Sequence, residues 1–326
     1  MKSVPAVDLP NGKKMPIIGV GTFQAKSEEI KMIVNTALEC GYRHIDTAFL
    51  YQNESAIGEV LDEWLSSGRI TREDLFVTTK LPMVANRAAD VGRFLDKSLT
   101  NLRLSYVDLF LIHHPVGMKG KNDSDIFPKD ELGNMVFDFD TDLESLYKAM
   151  ENQVDSGKAK SIGLSNFDCK QVERILKVCR IMPANHQVEL HAYYQQRKMR
   201  EFCKEHGVSI CAYAPLGAPY KPPRGFKEVP VLLKHPTVTS LASVHNKTPA
   251  QIVLRFLIQL GIIVIPKSSR PERIQENFQV FDFELTSLEM ASLEELDQGV
   301  HGRLFDFQVF QGIDKHPEYT FGTQSR

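Results

Sequence analysis

Short apolar runs alternate along the chain with longer segments in which apolar residues recur every three to four positions. The runs Gly19 to Thr22, Tyr42 to Thr47, Leu75 to Leu81, Val107 to His113, Ser161 to Ser165, Ala184 to Glu189, Ser209 to Ala214 and Ile262 to Pro266 read as strands. The periodic segments predict helices near 27–40, 53–66, 86–102, 142–156, 168–180, 195–206, 248–260, 271–279 and 286–296. A run such as Val107-Asp108-Leu109-Phe110-Leu111-Ile112 is almost continuously apolar, as a parallel strand covered on both faces must be. Start signals agree with the helices: Ser27 as a cap before Glu28 and Glu29, the capping-box spacing of Thr141 and Glu144, and Thr248-Pro249 with proline at the first helical position.

Eight strands, each followed by a helix, predict an α/β fold of the closed (β/α)8 TIM-barrel type, one domain over 1–326. A hairpin precedes it, with Ala6 to Leu9 and Met15 to Ile18 flanking a turn at Pro10-Asn11-Gly12-Lys13. The competing architecture, an open doubly wound sheet, lacks its Gly-x-Gly-x-x-Gly loop; Gly19-Val20-Gly21-Thr22 is only a fragment of one. Three segments exceed plain connections: 114–141, 216–236 and 299–326. The first two follow the fourth and seventh strands, so a barrel puts them on its carboxyl face, where sites are built.

Composition narrows the partners. Hydrophobic residues make up 42% and charged residues 25% of the 326, with a net charge of -2. That is a soluble globular balance without the basic field that nucleic acid or anionic membrane would require. The start carries no apolar leader, and the best apolar stretch, Ile252 to Ile265, is interrupted by Arg255 and Gln259. The five cysteines form no Cys-x-x-Cys pair, which fits free thiols in a reducing cytoplasm. Ten histidines show no ligand spacing beyond the adjacent His113-His114, so no metal is expected.

Four residues stand at or just past strand ends. Asp46 ends the second strand, Tyr51 lies in the turn after it, Lys80 is near the end of the third, and His113-His114 close the fourth. Alone, the first three have ordinary readings as a surface acid, a half-buried phenol and a snorkelling lysine, while a histidine at a barrel strand's end is more often functional than one elsewhere. Neighbouring strands lie about 4.8 Å apart, so the four can converge, with at most one imidazole facing the barrel mouth. A lysine held charged by Asp46 is expected to lower the phenol's pKa from about 10, readying Tyr51 to protonate an alkoxide beside a neutral imidazole.

His44-Ile45-Asp46-Thr47-Ala48, Tyr51-Gln52-Asn53-Glu54, Thr79-Lys80-Leu81, Leu111-Ile112-His113, Gly163-Leu164-Ser165-Asn166-Phe167 and Ile265-Pro266-Lys267-Ser268 together resemble the aldo-keto reductase superfamily, in its order and through nearly the whole chain. The resemblance implies NADPH-dependent reduction of aldehydes and ketones by a tetrad of Asp46, Tyr51, Lys80 and His113, with Tyr51 as general acid. It assigns Ser165, Asn166 and Gln187 to the nicotinamide carboxamide and Tyr213 to stacking on the ring. Gly21, Thr22, Phe23 and Asp46 join the cofactor site from the first two strands, and Leu216 from the seventh. Ala214 stands where the family commonly has serine. Lys267 and Ser268 follow the last strand, and a helix starting at Pro271 puts Arg273, Glu276 and Asn277 on one face, suited to an adenine and a sugar phosphate.

Phe23, Leu50, Pro82 and His114 match substrate-facing positions, and Phe127 joins the substrate site as a lid element with the tail 299–312. Phe23, Pro82 and His114 replace residues that are often Trp, so the resemblance implies a wide mouth admitting a bulky ketone. Steroids are the example, including the 3-dehydroecdysteroids that some insect relatives reduce. A small-molecule carbonyl substrate, NADPH/NADP+ and a cytoplasmic monomer are what it implies overall. The alternatives are a catalytically idle NADPH-binding barrel acting as an interaction subunit and, more distantly, a metal-dependent hydrolase. Binding of NADPH without turnover would mark the first, activity lost on chelation the second.

Overall fold

The computed structural model describes residues 4–218 and 230–322; the stretch 219–229 of the expected 216–236 loop and the last four residues lie outside them. Strands β1 (Ala6–Asp8) and β2 (Lys14–Pro16) form the expected antiparallel hairpin. Eight parallel strands follow in sequence order: β3 (Val20–Gly21), β4 (His44–Asp46), β5 (Phe76–Leu81), β6 (Val107–Ile112), β7 (Ala159–Ser165), β8 (Asn185–Glu189), β9 (Ser209–Tyr213) and β10 (Ile263–Val264). The ring closes at a seam, where Ile18 bridges Val264 in parallel and the Gly19 amide donates to the Val264 carbonyl at 2.9 Å. This is a (β/α)8 barrel.

The glycines of the seam are there for packing. A Cβ on Gly21 would lie 2.8 Å from the Ile265 carbonyl oxygen, and one on Gly19 would lie 2.4 Å from the His44 ring. The Gly-Val-Gly run therefore admits the last strand and a buried histidine, with no phosphate loop needed to explain it. The hairpin turn docks on the start of β7, Asn11 donating to the Lys160 carbonyl (2.8 Å) and the Ser161 hydroxyl (2.9 Å).

Helices α1 (Ser27–Cys40), α2 (Glu54–Ser66), α3 (Val91–Leu102), α4 (Leu143–Asp155), α5 (Cys169–Val178), α6 (Arg197–Glu205), α7 (Pro236–His245), α8 (Pro249–Gln259), α9 (Pro271–Phe278) and α10 (Ser287–Glu294) surround the ring. Two start signals shift by one residue. Helix α1 is capped by no side chain, and Ser27 lies inside it. At α4 the cap is Asp142, which accepts from the Glu144 and Ser145 amides, while the Thr141 hydroxyl donates back to Asp138. Thr248 caps α8 as expected, in a reciprocal bond with Gln251. Helix α7 has no counterpart in the sequence pattern. It is rich in β-branched residues and buries only Val238 and Ala242, too narrow a stripe to read.

One hydrophobic core runs through the barrel from Leu9 to Leu293. A smaller cluster of Met83, Val116, Met118, Ile313 and Tyr319 ties the segment after β6 to the tail. Two long pieces of chain thus pack on each other at the rim: 114–141 and 299–322.

Candidate active site

The site is built on a lysine that water cannot reach. Lys80, on β5, is fully buried, and Asp46 at the end of β4 is 2% exposed. An isolated ammonium there would cost several kcal/mol, so its partners decide its state. The Lys80 Nζ donates to Asp46 Oδ1 at 2.6 Å, to the Thr47 carbonyl at 2.9 Å and to the Tyr51 hydroxyl at 3.3 Å. All three of its protons are used. Because the ammonium donates to the phenol oxygen, Tyr51 keeps its own proton for a ligand. The other carboxylate oxygen of Asp46 accepts from Gln187 at 2.6 Å. Strands β4, β5 and β8 therefore meet in one buried network.

His113, just past β6, sets its ring 5.6 Å from that of Tyr51 at 74°. Burial, then the Lys80 charge, then His114 hold its pKa well below the usual imidazole value. It is neutral at physiological pH, as expected. For Lys80, burial alone would push the pKa down; Asp46 and then Tyr51 more than offset it and raise it.

The expectation for Tyr51 is overturned in sign. Lys80 does favour the phenolate, but burial is the larger effect and the phenol's pKa is raised. The resting site holds a neutral Tyr51 over a charged lysine.

The residues expected around a cofactor fall in two groups. Asn166, with φ +65° at the end of β7, donates to the His113 carbonyl (2.9 Å) and to the Ser165 hydroxyl (3.2 Å), and accepts from the Tyr213 hydroxyl at 2.8 Å. Thr22 donates to the Asp46 carbonyl at 2.8 Å, and Phe23, 45% exposed, lies 5.0 Å from Tyr51 ring to ring. Leu216 packs half-buried against the core. In the second group, Lys267 is held by the Ser269 hydroxyl (2.8 Å) and by Glu29 (3.5 Å). The Ser268 hydroxyl accepts from the Arg270 amide. On α9, Arg273 and Glu276 are half-buried and Asn277 is buried.

Comparison with known proteins decides the family. The aldo/keto reductase family model matches residues 17–298. Prostaglandin F synthase 1 of Bos taurus is 42% identical over 324 residues, covering 98% of each chain. Dihydrodiol dehydrogenase 3, also of Bos taurus, is 40% identical over 321 residues and 97% of each chain. The solved aldose reductase of Schistosoma japonicum is 42% identical, with a TM-score of 0.89 over 98% of this chain and 99% of that one.

The chain belongs to the aldo/keto reductase family. It is accordingly an oxidoreductase of carbonyl compounds.

Of the residues of this aldo/keto reductase expected to face substrate, Leu50 is half-buried and Pro82 buried. His114 is 2% exposed, roofed by Phe321 (5.6 Å, stacked) and Phe307 (4.6 Å, edge-on) from the tail. Its Nδ1 accepts from the Val116 amide at 3.1 Å, and its Nε2 has no hydrogen-bond partner among the described residues. Phe127, 42% exposed, stacks on Phe310 at 5.8 Å. A surface groove of about 810 Å³ lined by Phe49, Arg93, Lys97 and Asn101 contains none of the tetrad, and its two cations are both paired to Asp123.

Three supporting residues escaped the sequence reading. Asn53 is buried and ties the first two strands, donating to the Thr22 carbonyl and accepting from Thr47. Glu54, buried behind β5, accepts from Thr79 at 2.6 Å. Both sat inside the Tyr51 to Glu54 motif, where they read only as a helix start. Glu189, at the end of β8, is 2% exposed and accepts from two amides of the tail. No local pattern could have paired positions so distant in sequence.

Proposed function

We propose that this protein is an NADPH-dependent reductase of aldehydes and ketones in which Tyr51 gives its proton to the carbonyl oxygen. One observation carries the reading: Lys80 is buried between the Asp46 carboxylate and the Tyr51 hydroxyl. Negative charge grows on a carbonyl oxygen as its carbon is reduced. Burial keeps the Tyr51 phenol protonated at rest, so it is a donor. Lys80, 3.3 Å away, stabilises the phenolate left behind, and does so most when the proton has moved. Asp46 and Gln187 hold that ammonium in position. Neutral His113 is a hydrogen-bond donor that orients the oxygen.

The donor set fits NADPH, which supplies the hydride when bound. Ser165, Asn166 and Gln187 offer the hydroxyl and amide groups a carboxamide needs, and Tyr213 offers a ring. Lys267 is a point charge and Arg273 a planar fork, the two cation types suited to a ribose 2′-phosphate. Ser268, Glu276 and Asn277 complete the adenosine end, while Gly21, Thr22, Phe23 and Leu216 line the approach.

The substrate we assign is a bulky ketone, with steroid ketones such as 3-dehydroecdysteroids among the candidates. Relatives named for prostaglandin F synthesis and for dihydrodiol dehydrogenation support a roomy pocket. Phe23, Leu50, Pro82, His114 and Phe127 are its walls in this reading, and the enzyme is a cytoplasmic monomer of one domain.

The test is Tyr51→Phe, which removes only the proton donor. Carbonyl reduction should fall roughly 10²–10⁴-fold while NADPH still quenches protein fluorescence with near wild-type affinity. A variant retaining wild-type kcat on a model aldehyde would refute the assignment.

A further inference from the structure

We propose that Glu189 is a positioning residue: it latches the carboxyl-terminal segment onto the barrel and, through Phe305, sets the Tyr213 ring. The carboxylate stands at the end of β8 and is buried. Its Oε1 accepts from the Leu304 amide at 2.6 Å and from the His191 ring at 3.0 Å; its Oε2 accepts from the Phe305 amide at 2.9 Å. Two consecutive backbone N–H groups thus meet the two oxygens of one carboxylate. A buried carboxylate accepting charge-assisted bonds from main chain fixes that main chain closely.

The contacts on either side give the latch its direction. Arg303, one residue before, reaches the Tyr194 hydroxyl at 2.6 Å and the Phe321 carbonyl at 2.8 Å, so the tail folds back over its own anchor. Farther along, Gln171 and Arg174 grip Glu318. Phe305 turns its ring edge-on to Tyr213, 5.7 Å away at 76°, and Tyr213 in turn donates to Asn166. Gln187 lies two residues before Glu189 on the same strand, hence on the same face, and holds Asp46. Strand β8 therefore carries one residue that fixes the tetrad and another that fixes the cover. The link from latch to cofactor rests on the proposed role of Tyr213; the link from latch to tail does not.

Glu189→Gln keeps the size and removes one of the two acceptor oxygens, so an amide NH₂ faces a backbone N–H. The loss of one charge-assisted bond should raise local opening of the tail about ten- to a hundredfold. Hydrogen–deuterium exchange of the ligand-free protein reads this directly: the Leu304 and Phe305 amides should lose protection while the barrel strands keep theirs. KM for a bulky ketone should rise by more than kcat falls, and NADPH affinity should weaken. Glu189→Asp, which restores the carboxylate on a shorter stem, should recover part of each effect. Unchanged exchange at 304 and 305 in the Gln variant would overturn the latch. So would protection lost evenly across the barrel in both variants, with kcat and KM equally affected. Freed amides with unaltered NADPH binding would leave the latch standing and refute the coupling to Tyr213.

Discussion

The ends of β4, β5 and β8 and the wrap formed by 114–141 with 299–322 face each other across the mouth of the barrel, and they are built on different physics. On the strand side, Lys80 from β5 and Gln187 from β8 reach Asp46 at the end of β4 in charge-assisted bonds of 2.6 Å that solvent does not reach. On the wrap side, the contacts are mostly aromatic faces at 4.6–5.8 Å, with Phe127 and Phe139 about half exposed. Strand ends cannot shift without breaking the sheet; away from the Glu189 anchor at 304 and 305, packed rings on loops can slide and re-pair at small cost. The proposed reaction, with a fixed proton donor and a variable substrate envelope, is served by that division.

The comparison breaks most severely at Lys80, after the loss of rate expected for Tyr51→Phe. Lys80→Met leaves Asp46 buried without its cation, and removing one partner of such a pair costs about 3–5 kcal/mol. Urea denaturation should register a fall of that size. A change below about 1 kcal/mol would mean that the strand side is no more rigid than a surface ion pair.

Arg273→Met probes a third place, the helix α9 face. NADPH binding should weaken about ten- to a hundredfold, since one charge-assisted bond contributes roughly 1.5–3 kcal/mol, while NADH, lacking the phosphate, should be nearly indifferent. Cofactor titration by protein fluorescence distinguishes this from a parallel loss of both, which would make Arg273 a structural residue.

The effect that is smallest near neutral pH sharpens the wrap side. Burial, with a lesser push from His316, holds the His114 pKa down at about 3. In the unfolded chain an imidazole titrates near 6.5, so between about pH 6.5 and 3 the unfolded state binds a proton that the folded state refuses. Stability then falls as pH falls, by up to about 1.4 kcal/mol per pH unit from this residue. His44, held at about 4, and His186, at about 3, add the same sign. His114→Phe should flatten the acid limb of the stability curve by about one proton's slope. An unchanged slope in that variant would show that the tail does not seal His114 from water in solution.

Legibility followed the range of the forces involved. Apolar runs and helical periods record which faces are covered, so the eight strands and most helices could be read from their own residues. Helix α7 could not, because its buried stripe is two residues wide. Strand ends put Asp46, Lys80 and the His113-His114 pair in order along the rim, chemistry narrowed what a nearby phenol could do, and only the family resemblance chose His113. The cap positions slipped by one residue at α1, where Lys26 stands at the cap without a side-chain bond to the helix amides, and at α4, where Asp142 rather than its neighbour Thr141 takes them.

What the sequence determined by itself was the barrel, the order of its strands and the residues gathered at one end of it. Tertiary structure decided the rest: the seam at Ile18 and Val264, the roof of Phe307 and Phe321 over His114, and the hold of Glu189 on a tail more than a hundred residues away. It also decided the sign of the Tyr51 pKa shift. A neighbouring charge can be guessed from spacing along two strands. Desolvation depends on everything that excludes water from the group, and those residues come from all parts of the chain.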